Sequence, residues 1–256
     1  MDGYIVRSGS VPGFGHKHKQ INNQDSLLVS EAVINGKTFS FGAVFDGCTG
    51  GKDAKHSRTE VGAALLAEFF SSEIPLILAS HTPLTELPAI LYQRSIGYFG
   101  SIARTTVMGS PETMWQFVQR YLLCTVLGYV TDGIELVVFS AGDGVIFVND
   151  DVSSIDQNDK PIYFAYHLLD KRIIGHVPLP SSFETVTFPL NTIERFALST
   201  DGIKKRALLD PAFIAGIWEY ELGARAGLQW HLNKGANDSL FEDDCTVIGL
   251  HRNQTQ

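Results

Sequence analysis

Cysteine is scarce and scattered. Cys48, Cys124 and Cys245 are the three in 256 residues, and no two are spaced as C-x-x-C. That excludes a disulfide framework and a zinc knuckle, and it suits a reducing compartment. Basic charge is also short: 20 Lys and Arg stand against 28 Asp and Glu, a formal net charge of −8. A general nucleic-acid surface would need the opposite balance. No uninterrupted apolar run reaches bilayer length, and MDGYIVRSGSVPGFG lacks the basic start and apolar core of a signal peptide. A soluble, cytoplasmic, monomeric protein with neither membrane nor nucleic-acid partners is expected. No internal repeat, low-complexity tract or linker divides the chain, so residues 1–256 read as one domain. The 44% hydrophobic content is ample for its core.

What the chain does have is a series of apolar runs that end or begin at an acid. TFSFGAVF, from Thr38, is strand-like in length and composition and stops at Asp46, with Gly47, Cys48, Thr49, Gly50 and Gly51 behind it. Asp-Gly is a common turn dipeptide, so this stretch alone reads first as a turn. The pattern recurs, however. ELVVFSAGDG carries Asp143, FALSTDG carries Asp201, FEDDCTVIGL places Asp243 and Asp244 before a strand, and INNQDSLLVS places Asp25 before another. Carboxylates at strand ends, gathered at one edge of a sheet structure, would form an oxygen-rich cage for hard divalent cations. Without metal they would repel one another.

Hydrophobic periodicity supplies the frame. Strands are expected at Tyr4 to about Arg7, Leu27–Val33 and Thr38–Phe45, the last two joined by an Asn35-Gly36 hairpin turn. Between them a Gly/Pro segment from Gly9 to Gly15 and a polar loop from His16 to Gln20 are expected. Period 3.6 then predicts a helix over Arg58–Phe70 with Val61, Ala64, Leu65 and Phe69 on its apolar face and Ser57 or Thr59 as cap. Further helices are expected at Pro83–Ala103, with Pro83 at the entry, and at Pro111–Tyr121. Leu123–Val130, Glu135–Ser140 and Val145–Val148 read as an antiparallel meander, followed by a polar loop over Val152–Lys160. Strands at Pro161–Leu169, Phe183–Phe188 and Glu194–Ser199, a helical stretch at Pro211–Leu232 and a last strand at Cys245–Leu250 complete the order. Tyr98, Trp115 and Phe117 could face a partner but read more readily as core, as do Trp218, Tyr220 and Trp230. Grouped strands and helices without steady alternation indicate an α+β architecture.

Taken together, Asn23-Gln24-Asp25, Phe45 to Gly51, Gly142-Asp143-Gly144, Leu198 to Ile203 and Asp243 to Leu250 resemble, in order, the motifs of the PP2C-type metal-dependent Ser/Thr protein phosphatases. Those motifs are N-E-D, D-G-H-G-G, G-D-S-R, S-D-G and D-N/D-x-T-V. The likeness is greatest to the bacterial-type branch, with Gly13 to His16 and Gln24-Asp25 as its first motif. The resemblance spans about residues 8–251. It implies a four-layer α-β-β-α sandwich of two antiparallel sheets flanked by helices. It also implies hydrolysis of phosphoserine and phosphothreonine in phosphorylated proteins by a water activated between two Mg²⁺ or Mn²⁺ ions. By the same resemblance Asp46 bridges the two ions, and Gly47 offers its carbonyl to one. Asp201 and Asp243 ligate the second ion. Asp143, with Asp201, helps hold a third, weaker ion, and Asp25 belongs to the metal site as an acid held near the cluster, partly through metal-bound waters. Catalysis is then assigned to Asp46, Asp201 and Asp243. A one-residue slip would make Asp244 the ligand in place of Asp243, which is preferred.

Several positions depart from the family pattern. Cys48 replaces the His of D-G-H-G-G, Gln20 stands where many members carry a phosphate-holding Arg, and no Arg follows Asp143. His16, Lys17 or Lys19 is left to meet the phosphate, with His16 the candidate. A cysteine phosphatase would need a C-x5-R loop, and Cys48 is followed by TGGKD and Ala54 instead. The intact metal acids favour an active enzyme. The altered phosphate-handling positions keep open a pseudophosphatase that binds partners without turnover.

Overall fold

The computed structural model describes residues 3–48, 57–107, 109–156, 162–175, 177–204, 207–218 and 227–253. Its strands are β1 (Tyr4–Val11), β2 (Ser26–Ile34), β3 (Lys37–Gly47), β4 (Cys124–Thr131), β5 (Glu135–Ala141), β6 (Gly144–Val148), β7 (Asp151–Ile155), β8 (Glu184–Pro189), β9 (Arg195–Ser199) and β10 (Cys245–Arg252). All pair antiparallel, in two five-stranded sheets of order β1-β10-β9-β6-β7 and β2-β3-β4-β5-β8. The helices are α1 (Phe14–Lys19), α2 (Glu60–Ala79), α3 (Leu87–Thr106), α4 (Pro111–Tyr121), α5 (Lys171–Ile174), α6 (Pro211–Trp218) and α7 (Gly227–Asn237).

Strand alternation sorts the apolar residues into three cores, and these stack the layers. Phe41, Ala43 and Phe45 of β3, with Val126 and Phe139 of β4 and β5, face Leu66, Phe70 and Leu91 of α2 and α3. The residue between them on β3, Val44, points the other way, into a core between the sheets with Leu127, Tyr129, Phe196, Leu198 and Ile248. Val145, Phe147, Ala197 and Val247, on the far face of the second sheet, pack under Phe213, Leu228 and Leu232 of α6 and α7. The result is the expected α-β-β-α sandwich. Burying each such Phe or Leu contributes about 1.5–3 kcal/mol.

The expected hairpin turn held, whereas the cap expected from Ser57 or Thr59 did not form. Asn35 and Gly36 take positive φ (52° and 77°) and join β2 to β3, as a primed hairpin turn requires. Ser110 accepts a hydrogen bond from Thr113 N at the start of α4. Elsewhere tertiary contacts decided. β1 continues through the supposed Gly/Pro break to Val11, because β10 supplies partners along its whole length. The polar stretch at His16 is the short helix α1, anchored by Phe14 N and Gly15 N to the carbonyls of Phe241 and Glu242. Helix α2 buries Gly62, Ala63, Leu66, Ala67 and Phe70, one position off the expected face, leaving Val61 and Ala64 exposed. By length and composition alone α2 would suffice to cross a membrane, yet this face is packed on the β2–β3 side of its sheet. Helix α3 starts at Leu87 with Pro88 in its first turn, and Pro83 lies in the turn before it.

The meander breaks at Gly142. β5 belongs to one sheet and β6 to the other, so Gly142-Asp143 is the crossing between them. The polar loop after Val152 is in part β7, hairpinned to β6, and residues 157–160 lie outside the described residues. The expected strand at Pro161–Leu169 is instead a 3-10 helix, Phe164–Leu168, which inserts Phe164 against Phe99 and Tyr92. The helical stretch at Pro211–Leu232 appears as α6 and α7, with residues 219–226, Tyr220 included, outside the described residues. Tyr98, Trp115, Phe117 and Trp218 are half-buried against the cores, whereas Trp230 is 61% exposed and not core.

At the crossing, Gly142 has φ +103°, and a Cβ there would meet Thr125 Cγ2 at 2.6 Å. Gly142→Ala is therefore expected to lower stability by about 1–3 kcal/mol, read as a shift in the urea midpoint.

Candidate metal centre

Strand register delivers the acids to one edge. β2 and β3 pair Ser26 with Phe45, so one step further sets Asp25 opposite Asp46. β6 and β9 pair Val145 with Ser199, so two steps further set Asp143 opposite Asp201. β1 and β10 pair Val11 with Cys245, which carries Asp243 and Asp244 just past the end of β1. The two sheets are joined here through Asp25, whose Oδ2 accepts hydrogen bonds from Thr200 Oγ1 (2.8 Å) and Thr246 Oγ1 (2.7 Å) of the opposite sheet. Asn23 sets that carboxylate by accepting from Asp25 N with its side chain (3.0 Å).

The ring is electrostatically tense. Burial, then the charges of Asp25, Asp201, Asp243 and Asp143, push the Asp46 carboxyl well above the usual carboxylate range. Burial does the same to Asp25, with the Thr246 and Thr200 hydrogen bonds offsetting part of it. Asp143 is raised by burial and by Asp201, against the pull of Lys204. Lys204 Nζ stands 3.4 Å from Asp143 Oδ2 and 3.6 Å from Asp201 Oδ2.

Asp243 and Asp244 have different surroundings. Asp244 is buried, accepting from Gly13 N at Oδ1 (3.0 Å) and from Gln24 N at Oδ2 (2.6 Å). His16 Nδ1 lies 2.8 Å from the same Oδ2, and this contact with Asp244, more than the opposing burial, raises the His16 pKa. Asp243 has a side chain 53% exposed, with Oδ1 3.4 Å from His16 Nε2. His16, Asp243 and Asp244 are the group of possible ligands with the closest donor atoms among the described residues, all within 4.8 Å. Both His16 ring nitrogens face carboxylates, so the ring expected to meet phosphate is turned to the acids instead. Gly202 lets the turn after Asp201 lie against this segment, since a Cβ there would come within 1.8 Å of Asp244 O.

The donors fit a hard divalent cation. Asp25 Oδ1 is buried without a partner, as are both amide atoms of Gln24 beside it, and a buried polar atom normally has one. Asp46, whose ionised form is disfavoured by burial and by four other acids, is an oxygen donor that a bound cation would favour as the carboxylate. Gly47 follows at the end of β3, its N donating to Gln24 O (3.2 Å), and a Cβ on it would meet that same oxygen at 2.6 Å. Cys48 is half-buried. Burial pushes its thiol up, so it is a poor thiolate nucleophile. Its carbonyl accepts from Thr59 Oγ1 (3.0 Å) and Ser57 Oγ (3.4 Å), which explains why neither caps α2. Of the Gly-rich stretch after Asp46, Thr49, Gly50 and Gly51 lie outside the described residues.

Residues 12–224 match the sequence profile of the Protein phosphatase 2C family. The chain belongs to that family. No curated protein sequence matches it. Among solved structures, a bacterial serine phosphatase bearing a point mutation has TM-score 0.64 at 15% identity, covering 99% of this chain and 100% of that one. Stp1 from Staphylococcus aureus has TM-score 0.58 at 13% identity, covering 97% and 94%. The catalytic domain of PstP, solved in complex with two manganese ions, has TM-score 0.56 at 14% identity, covering 97% and 98%. At these identities the likeness is one of fold, and the fold is that of the phosphatase 2C structures.

Thr200, Lys204 and Tyr163, whose side chain hydrogen-bonds Cys48, were not singled out from the sequence. Only Lys204 had a local signal, its i,i+3 spacing from Asp201. Two outcomes test the electrostatics. Asp244→Ala strands His16 and two backbone N–H groups and should cost about 3–5 kcal/mol in urea unfolding. The His16 pKa is raised on folding, so its pairing stabilises fully below its unfolded pKa of about 6.5. That contribution is lost as pH rises through the folded value, and the stability gap between wild type and His16→Gln should shrink in the same direction.

Proposed function

We propose that this protein hydrolyses phosphoserine and phosphothreonine in phosphorylated proteins, using Mg²⁺ or Mn²⁺ held at the Asp46 edge. The observation that carries the reading is Asp46 itself, a carboxylate hemmed in by four others beside an unpartnered Asp25 oxygen. Two such ions, when bound, supply an activated water and neutralise phosphoryl charge. Asp46, the Gly47 carbonyl, Asp201 and Asp243 are the proposed ligands. Asp243 is chosen over Asp244 because the oxygens of Asp244 are occupied by Gly13 N, Gln24 N and His16. His16 then orients Asp243 and carries none of the phosphate itself. Asp25, held by the two threonines, stays behind the ligands and fixes the spacing of the two sheets. The free cysteines Cys48, Cys124 and Cys245 support a cytoplasmic setting, and we propose a monomer.

Cys48 in the place of the family His, with Gln20 in the place of an Arg, favours one second reading, a pseudophosphatase that binds partners without turnover. Hydrolysis of p-nitrophenyl phosphate and of a phosphothreonine peptide separates the two. With Mn²⁺ or Mg²⁺ the wild type should turn over, EDTA should stop it, and Asp46→Ala or Asp201→Ala should lower the rate by about a hundredfold or more. No turnover by a protein that binds Mn²⁺ in calorimetry would sink the enzyme and leave the binding module.

A further inference from the structure

Asp143 and Asp201 lie across from one another beyond the paired ends of β6 and β9, and a cation of the protein's own already stands between them. Lys204 Nζ is 3.4 Å from Asp143 Oδ2 and 3.6 Å from Asp201 Oδ2. The Lys204 and Asp143 side chains are largely withdrawn from solvent, at 18% and 9% exposure. The placement is built into the backbone. Asp201–Ile203 is a 3-10 turn, with Lys204 N bonded to Asp201 O (2.8 Å), and in that geometry side chains three apart come to the same side. The nearby charge of Asp156 adds to the field that holds the ammonium.

An ammonium and a divalent ion compete for the same carboxylate oxygens. The ammonium is tethered to the turn, so it competes at an effective concentration of about millimolar or higher, whatever the metal supply. Its three donors suit two single carboxylate oxygens with one to spare. We propose that Lys204 is the resident cation of the Asp143–Asp201 pair, so that divalent ions are confined to the Asp46, Asp201 and Asp243 side of the ring. Asp143 is then not a metal ligand, in contrast to the role its motif implies. It is a positioning residue that anchors Lys204, and through Lys204 it fixes one oxygen of Asp201 while leaving the other for metal. This rests on the metal-dependent reading above.

Anomalous diffraction at the manganese edge, from crystals of the full chain soaked in Mn²⁺, tests it directly. The expected map has peaks against Asp46 and none between Asp143 and Asp201, with Lys204 in place. A peak between Asp143 and Asp201 with Lys204 displaced overturns the inference and leaves the metal reading standing. No peak anywhere overturns both. Calorimetric stoichiometry gives a second measure. Lys204→Met should take up one further Mn²⁺ per chain, and an unchanged count in the folded variant overturns the inference. Asp143→Asn, which keeps the side-chain shape, should retain the wild-type count, and loss of an ion there overturns it equally.

Discussion

Mutual repulsion among carboxylates is the constraint to which this edge of the sandwich answers. Asp25, Asp143, Asp201 and Asp243 all bear on Asp46, and each acid at the edge is met by a different device. Asp25 is held by two threonine hydroxyls, Asp244 by two backbone N–H groups and His16, and the Asp143–Asp201 pair by Lys204. These devices come from both sheets, so compensating the charge also locks the sheets together. Among the described residues, Asp46 has no cation of the protein's own paired with it.

Much of this was legible in the chain. The acids announced themselves because each interrupts an apolar strand, and period-2 burial then fixes which way each points. Asp46 lies on the same face of β3 as Val44, toward the other sheet, and that parity could be read from TFSFGAVFD. Less legible were the features that depend on partners distant in sequence. Nothing local says that β5 and β6 part at Gly142, since Leu123 to Val148 has the pattern of a continuous meander. The face of α2 was misjudged because Gly62 and Ala63 carry little hydrophobic signal, although their small size lets Gly62 lie against Tyr121 O, where a Cβ would come within 2.5 Å. Aromatic content likewise misled at Phe164, where a ring that suited a strand fills a gap between α3 and its sheet.

The departures from the family pattern fall on one side of the site. The strand-end acids are all present, while the positions that would meet a phosphate differ: Cys48, Gln20 and the residue after Asp143. Cys48 is backed by the Tyr163 hydroxyl and half-buried against the helical core, so its surroundings are those of a packed residue. His16 shows the same shift, since its ring belongs to the acids. The departures therefore fall on the positions that the proposed function gives to phosphate, and the acids it gives to metal are kept.

β1 pairs with β10 along its full length, so these two strands, far apart in sequence, lie side by side with their Val11 and Cys245 ends at the site. The acids themselves are drawn from residues 25 to 243, and no shorter contiguous fragment contains the ring. Closing such long loops is slow, and it comes late when a chain emerges from the ribosome N-terminal end first. In the folded sheet β10 lies between β1 and β9, and its pairing there is what sets Asp243 and Asp244 beside the other acids.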